Sequence, residues 1–255
     1  MNRSLKISQA FSHAAETYDR AAVVQRFVAQ KLAYKITTQE DSNLGTVLEV
    51  GCGTGILSSY LTDKANHYVL TDLSPPLLQK ARGKVRGDHI LPVVVDGDHP
   101  CFTACFDIIV SSLALHWFQD PRRAIVRLIA CLKPGGRLYL STLGNNSFHE
   151  WRTAHRILDE PCGILDFMAF GQLKAWLPVS GIREVNEEWI SITPSDAFEF
   201  IHALKSMGGS VAHPGHRALP YGAFKKVMEA FDLKPQVSCQ ILYGSYKKPE
   251  KMREE

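Results

Sequence analysis

The sequence predicts an α/β fold: a doubly wound, mostly parallel sheet of seven strands with helices on both faces. Three observations lead there. Apolar runs of strand length alternate with helical stretches between Thr46 and Leu143. The runs are nearly continuous in apolar residues, as strands covered on both faces require. The first of them leads straight into "GCGTG", three glycines in five residues at a strand-to-helix turn.

The elements follow in order. Residues 5–36 read as helical, with Phe11, Tyr18, Gln25 and Leu32 recurring every seven residues beside Ala14, Ala15, Ala22, Val28 and Ala29. "TTQEDSNLG" is a polar connector. "TVLEVG" is a strand, "GILSSYLTDKA" a helix and "HYVLTD" the next strand. "SPPLLQKARGKV" is a helix with Ser74 as N-cap and Pro75 at its first position. "ILPVVVD" and "FDIIVSSLAL" are strands. "DPRRAIVRLIACL" is a helix capped by Asp120, "KPGG" ends it, and "RLYLSTL" is a strand. After Leu143 the rhythm changes. Residues 144–222 read as helical and irregular, with a strand-like "EEWISI" at 187–192. "PYGAFKKVMEAFDL" is a helix, and "SCQILYGSYKK" is a last strand returning to the sheet.

Bulk properties narrow the class. With 255 residues, 45% hydrophobic and 22% charged, the chain is a folded globule with room for one large domain or a core plus an insert. A formal net charge of +3 is too small to argue for nucleic acid. No apolar run is long enough to span a membrane, and "MNRSLKISQAFSHAAETYD" lacks the apolar centre of a signal peptide. The six cysteines show no CxxC spacing; Cys101 and Cys105, four apart, would share a face on a helix. His202, His213 and His216 match no HExxH pattern. No metal site is expected, and reduced thiols suit a cytoplasmic protein.

The loop Glu49-Val50-Gly51-Cys52-Gly53-Thr54-Gly55 has the context of a nucleotide-cofactor site. Gly51 and Gly53 omit side chains where a ligand would sit, and the following helix offers free N–H groups. Asp72 ends the next strand, 17 residues after Gly55, where a carboxylate can accept from both hydroxyls of a ribose. The spacing is G-x-G-x-G, neither the dinucleotide fingerprint nor a P-loop.

This segment resembles motif I of the class I S-adenosylmethionine-dependent methyltransferases. "VVVDGD", "FDIIVSSLALHW" and "LKPGGRLYLST" resemble the later motifs of that family, in order, over about residues 45–145. The resemblance implies a Rossmann-like core with S-adenosyl-L-methionine as cofactor. Glu49, Gly51, Cys52, Gly53 and Gly55 would surround its methionine end. Asp72 and Leu73 would hold the ribose, Asp96 and Gly97 the adenine, and Ser112 and Leu113 would complete the pocket. "AFSHAAETYDRAAVVQRFVAQKL", "TDLSPPLLQKAR", "SSLALHWFQDP" and "LKSMGG" extend the likeness over nearly the whole chain to the malonyl-carrier-protein O-methyltransferases of biotin synthesis. The short "VVVDGDHPCF" segment departs from that family by about one residue.

That resemblance implies methyl esterification of a malonyl thioester carried by acyl carrier protein, or of malonyl-CoA, with no nucleic acid or membrane partner. It divides the chain into a helical lid (1–40), a cofactor-binding core (41–145), a substrate-side insert (146–222) and a return to the sheet (223–255). Tyr18 is either core packing or part of a lid over the cofactor, and the family pattern favours the lid. Gln25 is expected to reach the methionine carboxylate. His116, after the fourth strand, is the candidate polar group of the acceptor site, with Trp117 as a wall. Lys205 is a cation near the mouth, suited to an anionic substrate, with Arg20 as the weaker alternative; solvated surface roles compete for both. The basic runs "QKARGKVR" and "DPRRAIVR", with Lys225 and Lys226, would face an acidic carrier helix. Rival readings are a methyltransferase for another small carboxylate or a protein side chain, and a non-catalytic assembly factor with the same fold.

Overall fold

The computed structural model describes residues 3–250. Three helices open the chain: α1 (Arg3–Ala14), α2 (Tyr18–Ala21) and α3 (Val23–Gln39). Strands and helices then alternate through β1 (Thr46–Val50), α4 (Ser58–Leu61), β2 (His67–Asp72), α5 (Pro75–Lys84) and β3 (Ile90–Val94). The alternation continues through β4 (Phe106–Ser112), α6 (Pro121–Cys131) and β5 (Leu132–Leu143). After these come α7 (His149–Ile157), α8 (Phe170–Trp176), β6 (Ile182–Ile192), α9 (Ala197–Ser206), α10 (Tyr221–Asp232) and β7 (Val237–Lys247).

All seven strands form one sheet in the order β3-β2-β1-β4-β5-β7-β6. β1 to β5 pair in parallel, and β7 runs antiparallel to both its neighbours. The order reverses between β1 and β4, so a crevice opens at the carboxyl ends of those strands.

Successive strand residues point to opposite faces, and the core divides accordingly. Val47, Ile108, Val110, Tyr139 and Ile241 pack with Val28, Leu32 and Ile36 of α3 on one face. Leu48, Ile109, Leu138, Leu140 and Leu242 pack with Ile125 and Leu128 of α6 and Leu173 of α8 on the other. Each such aliphatic side chain contributes roughly 1.5–3 kcal/mol by leaving water. The helix starts follow their caps. Ser74 accepts from the Leu77 N–H at 3.4 Å, Asp120 accepts from the Arg123 N–H at 3.0 Å, and a proline follows each.

Four expectations need correction. The single helix over 5–36 is three helices, interrupted around Ala15–Thr17 and at Ala22. The breaks let α1 lie over α5 while α3 packs on the sheet, a course no straight helix could take. "KPGG" lies inside β5, in a bulge where the pairing jumps from Phe106↔Leu132 to Ile108↔Arg137. The stretch read as an insert contributes β6, eleven residues long, which pairs with β7 along its whole length. That stretch is therefore two helical excursions separated by a sheet strand. Cys101 and Cys105 sit in irregular chain and are exposed, not on one helix.

One loop position limits how closely the layers approach. Gly55 has φ +82°, and a Cβ there would lie 2.9 Å from Ala81 Cα on α5. Gly55→Ala is expected to destabilise the fold by about 1–3 kcal/mol, through both strain and overlap. A shifted urea midpoint at unchanged slope would show it; an unmoved midpoint would mean that α5 can retreat.

Candidate active site

The crevice is built from the turn after β1. Gly51, Gly53 and Gly55 all adopt left-handed backbone, with φ of +69°, +54° and +82°. Their duties differ. A Cβ at Gly51 would lie 2.4 Å from Ala114 Cβ, whereas one at Gly53 would meet nothing within 4 Å. Of the two glycines expected to make room for a ligand, only Gly53 faces open space. Gly51 and Gly55 make room for the protein's own Ala114 and Ala81.

Asp72 ties the loop to β2. Its Oδ2 accepts from the Gly53 N–H and its Oδ1 from the Ser74 N–H, both at 2.8 Å. Burial pushes the carboxyl pKa up, and the N–H groups of Ser74, Gly53 and Leu73 oppose the shift. Two bonds leave lone pairs on both oxygens for further donors.

A cavity of about 780 Å³ extends from this loop. Tyr18, Gln25, Gly51, Gly53, Asp72, Leu73, Asp96, Gly97, Ser112, Leu113, His116 and Lys205 all line it. Glu49, Cys52 and Gly55 are not among the residues that line it. Glu49 points into the protein, where its carboxylate accepts from Ser58 Oγ at 2.5 Å and Tyr68 Oη at 2.8 Å. Burial lifts its pKa to about 7 against those two bonds. Cys52 is likewise buried, its thiol pushed well up by desolvation and by Asp72 and Glu49.

The N-terminal helices close the cavity from above. Ser8 donates to the Leu73 carbonyl at 2.9 Å, and Ser12 and Ser74 share a 2.8 Å hydroxyl contact. Asp19 accepts from Thr54 Oγ1 and pairs with Lys84 at 2.6 Å. Burial raises the Asp19 carboxyl pKa, but Lys84 and Thr54 outweigh it and leave it lowered. Phe11 packs edge-on against Trp117 at 5.1 Å and lies 6.4 Å from Tyr18. The stripe Phe11, Tyr18, Gln25 thus faces the cavity although its helix is broken. Tyr18 is held as the neutral phenol by burial and by Asp72. Gln25 presents a buried Oε1 with no donor among the described residues.

On the β4 side, Asp96 accepts from the Asp98 N–H at 3.0 Å. Gly97 is packed against Phe118, where a Cβ would fall 2.4 Å from the ring. Asp98, absent from the sequence expectations, is buried and accepts from the Gln119 and Asp120 N–H groups at 2.8 and 3.1 Å. It joins the two loops that wall this end. Leu113 adopts φ +50°, a strained conformation for a branched residue, at the point where β4 turns into the cavity. His116 touches Trp117 and Phe167 at 5.3 and 5.5 Å between ring centres, and its Nδ1 lies 3.5 Å from Thr142 Oγ1. Desolvation drops its pKa to about 3.

Beyond His116 the cavity continues into an aromatic lobe that sequence reasoning missed. Phe167, Phe148, Phe200 and Trp151 follow one another at 5.5–5.9 Å, with His155 at the far end. The one available signal was Trp151, Ala154 and His155 at i, i+3, i+4, which reads as an ordinary buried helix face. Lys205 lines the cavity with an exposed side chain. The basic run after Ser74 is partly spent within the fold. Lys80 pairs with Glu16, Lys84 with Asp19, and Arg82 donates to the carbonyls of Val85 and Gly87. Among the described residues, no group of three metal-binding side chains exists, and no helix is long and apolar enough to cross a membrane.

Comparison with known proteins agrees with this geometry. Residues 48–140 match a methyltransferase domain family. The chain is 31% identical to a malonyl-[acyl-carrier protein] O-methyltransferase of Magnetococcus marinus, over 96% of this chain and 93% of that protein. It is 32% identical to a bifunctional biotin biosynthesis protein of Bordetella avium, over 95% of this chain, and spans 52% of that longer protein. An N-methyltransferase from Bradyrhizobium japonicum, solved with S-adenosyl-l-homocysteine, shares the fold. Its TM-score is 0.52 at 16% identity, covering 87% of this chain and 86% of that one. The fold, the glycine loop with its acid, and full-length similarity converge: this chain is an S-adenosylmethionine-dependent methyltransferase and belongs to the malonyl-[acyl-carrier protein] O-methyltransferase family.

Proposed function

We propose that the protein esterifies the free carboxylate of a malonyl thioester, borne by acyl carrier protein, as an early step of biotin synthesis. One observation about the site carries the choice of acceptor. Tyr18 and His116 both line the cavity, the first a neutral phenol and the second an imidazole that desolvation holds at a pKa of about 3. Neither is a useful base near neutral pH. An acceptor that must lose a proton is poorly served there, whereas a carboxylate arrives already ionised.

The residues present fit the cofactor. Gly53 leaves an open cradle beside the Asp72 carboxylate, whose spare lone pairs suit ribose hydroxyls. Asp96 and Leu113 face the same crevice. Gln25 presents a buried amide whose Oε1 has no donor among the described residues, and that amide suits the polar end of the methionine moiety. When bound, S-adenosylmethionine supplies a sulfonium methyl; the new O–CH3 bond forms as the S–CH3 bond breaks, and the bond pair stays on sulfur. No proton moves. The protein's work is placement, with reacting atoms roughly 3–3.5 Å apart and in line. Phe11, Trp117 and Tyr18 exclude water over that point. His116 and Tyr18 are the groups proposed to hold the carboxylate oxygen that does not attack.

Incubation of malonyl-carrier protein with enzyme and cofactor is expected to give a carrier heavier by one methylene, read by mass spectrometry. An unchanged mass alongside normal cofactor binding would reject the malonyl assignment. Asp72→Asn is expected to weaken S-adenosylmethionine binding by roughly 10–100-fold in calorimetry, through loss of charge-assisted bonds. Undiminished affinity would remove Asp72 from the cofactor site.

His116 also makes a pH prediction. Its folded pKa of about 3 lies below the ordinary 6.5, so the unfolded chain binds the proton more readily. The stability is complete above 6.5 and is lost as pH falls towards 3, reaching about 2 kcal/mol by pH 5. Glu49 works in the opposite sense, losing stability as pH rises through about 7. Comparing wild type with His116→Gln cancels that contribution. The variant's urea midpoint is expected to fall less between pH 7.5 and 5 than the wild type's; parallel falls would show that the imidazole is solvated.

A further inference from the structure

Among the described residues, Arg20 and Lys205 are the only arginine and lysine on the cavity wall. Both side chains are exposed, and neither has an ion-pair or hydrogen-bond partner among those residues. Three cations near Arg20 are already engaged. Arg26 donates to the Asp19 carbonyl, Lys80 pairs with Glu16 at 2.9 Å, and Lys84 pairs with Asp19 at 2.6 Å. The two unpaired cations share one rim. Thr17 Oγ1, just before α2, donates to the carbonyl of Ser206, the last residue of α9, at 2.9 Å. That bond brings the turn carrying Arg20 against the turn carrying Lys205.

The cavity behind the rim sorts charge by depth. Asp72, Asp96 and Asp98 mark the cofactor end, and the lobe past His116 is aromatic. Neither region accepts a phosphate: the first repels it and the second leaves it unsolvated. Glu199, the acid of α9 on the same wall, already accepts from the Ser195 N–H at 2.5 Å. A substrate whose carboxylate reaches His116 and whose far end carries a phosphate therefore meets complementary charge only at the mouth.

We propose that Arg20 and Lys205 form a phosphate-binding rim that holds the phosphate ester of the substrate's pantetheinyl arm. The assignment rests on the malonyl-thioester reading above. It moves Lys205 from carboxylate chemistry to substrate anchoring. The shared chemistry is a pantetheine phosphate, whether it belongs to a carrier protein or to coenzyme A. A guanidinium and an ammonium on one cavity wall suit that group, one offering a planar fork and the other a point charge.

The test measures kcat/KM for malonyl-pantetheine and malonyl-phosphopantetheine, which differ only in the phosphate. Wild type is expected to favour the phosphorylated thioester by roughly 10-fold or more, and salt is expected to compress that preference. Arg20→Ala with Lys205→Ala together should bring the ratio to about one, while the exchange Arg20→Lys with Lys205→Arg should keep most of it. A wild-type ratio near one, or a ratio unchanged in the double alanine variant, overturns the proposal. Malonyl-CoA and malonyl-carrier protein form the further arms. Comparable losses with both support the common phosphate, and a loss confined to the carrier overturns it in favour of contacts with the carrier's own acidic residues. Should wild type methylate no malonyl thioester, the proposed function falls, and the rim is judged by calorimetry alone. Tighter binding of phosphopantetheine than of pantetheine, abolished in the double alanine variant, upholds the rim; equal binding overturns it.

Discussion

The hydrogen bond from the Gly53 N–H to the Asp72 carboxylate is the contact on which the rest of the site depends. It closes the turn after β1 onto the end of β2, and it requires the two strands to be neighbours in parallel register. It also requires a left-handed backbone that only glycine adopts freely, three times in five residues. With the loop held there, Ala81 and Ala114 can approach it to van der Waals limits, and one bare patch of main chain is left facing the crevice. The same carboxylate also accepts from Ser74, the N-cap of α5, so one side chain orients the loop and the following helix together.

A second constraint is electrostatic. Two polar side chains of the cavity wall are kept neutral. Tyr18 stays a phenol and His116 a neutral imidazole because the lid and the aromatic wall remove both from bulk water. Above the cavity the lid makes discrete polar contacts, from Ser8, Ser12 and Asp19, beside the packing of Phe11 on Trp117. Such contacts exchange readily with water, which suits an element that must admit a donor and release its product. The cavity wall carries acids beside the glycine loop, a run of aromatic rings beyond His116, and the unpaired cations Arg20 and Lys205.

Much of the core was legible. Continuous apolar runs, the Ser74 and Asp120 caps and the spacing from Gly55 to Asp72 are local signals, and each appears where the sequence placed it. The reading faltered where local and tertiary information differ. Glu49 sits in the motif but belongs to a buried network with Ser58 and Tyr68, because β1 alternation points it away from the crevice. Gly51 lines the cavity, but the space that an added Cβ would take there is held by Ala114. Asp98 carried no signal beyond its nearness to Asp96, since its partners are main-chain groups of a loop twenty residues on.

By itself the sequence determined the alternation of strands and helices, the cofactor loop and its acid, because turn chemistry and apolar periodicity act over a few residues. Only the tertiary structure decided which of the loop's glycines faces a ligand and where the N-terminal helix breaks. It alone assembled an aromatic lobe of the cavity from Phe148, Trp151, Phe167 and Phe200. The physical reason is that each of these depends on close packing between elements distant in sequence. Such contacts leave no periodic trace in the chain that makes them.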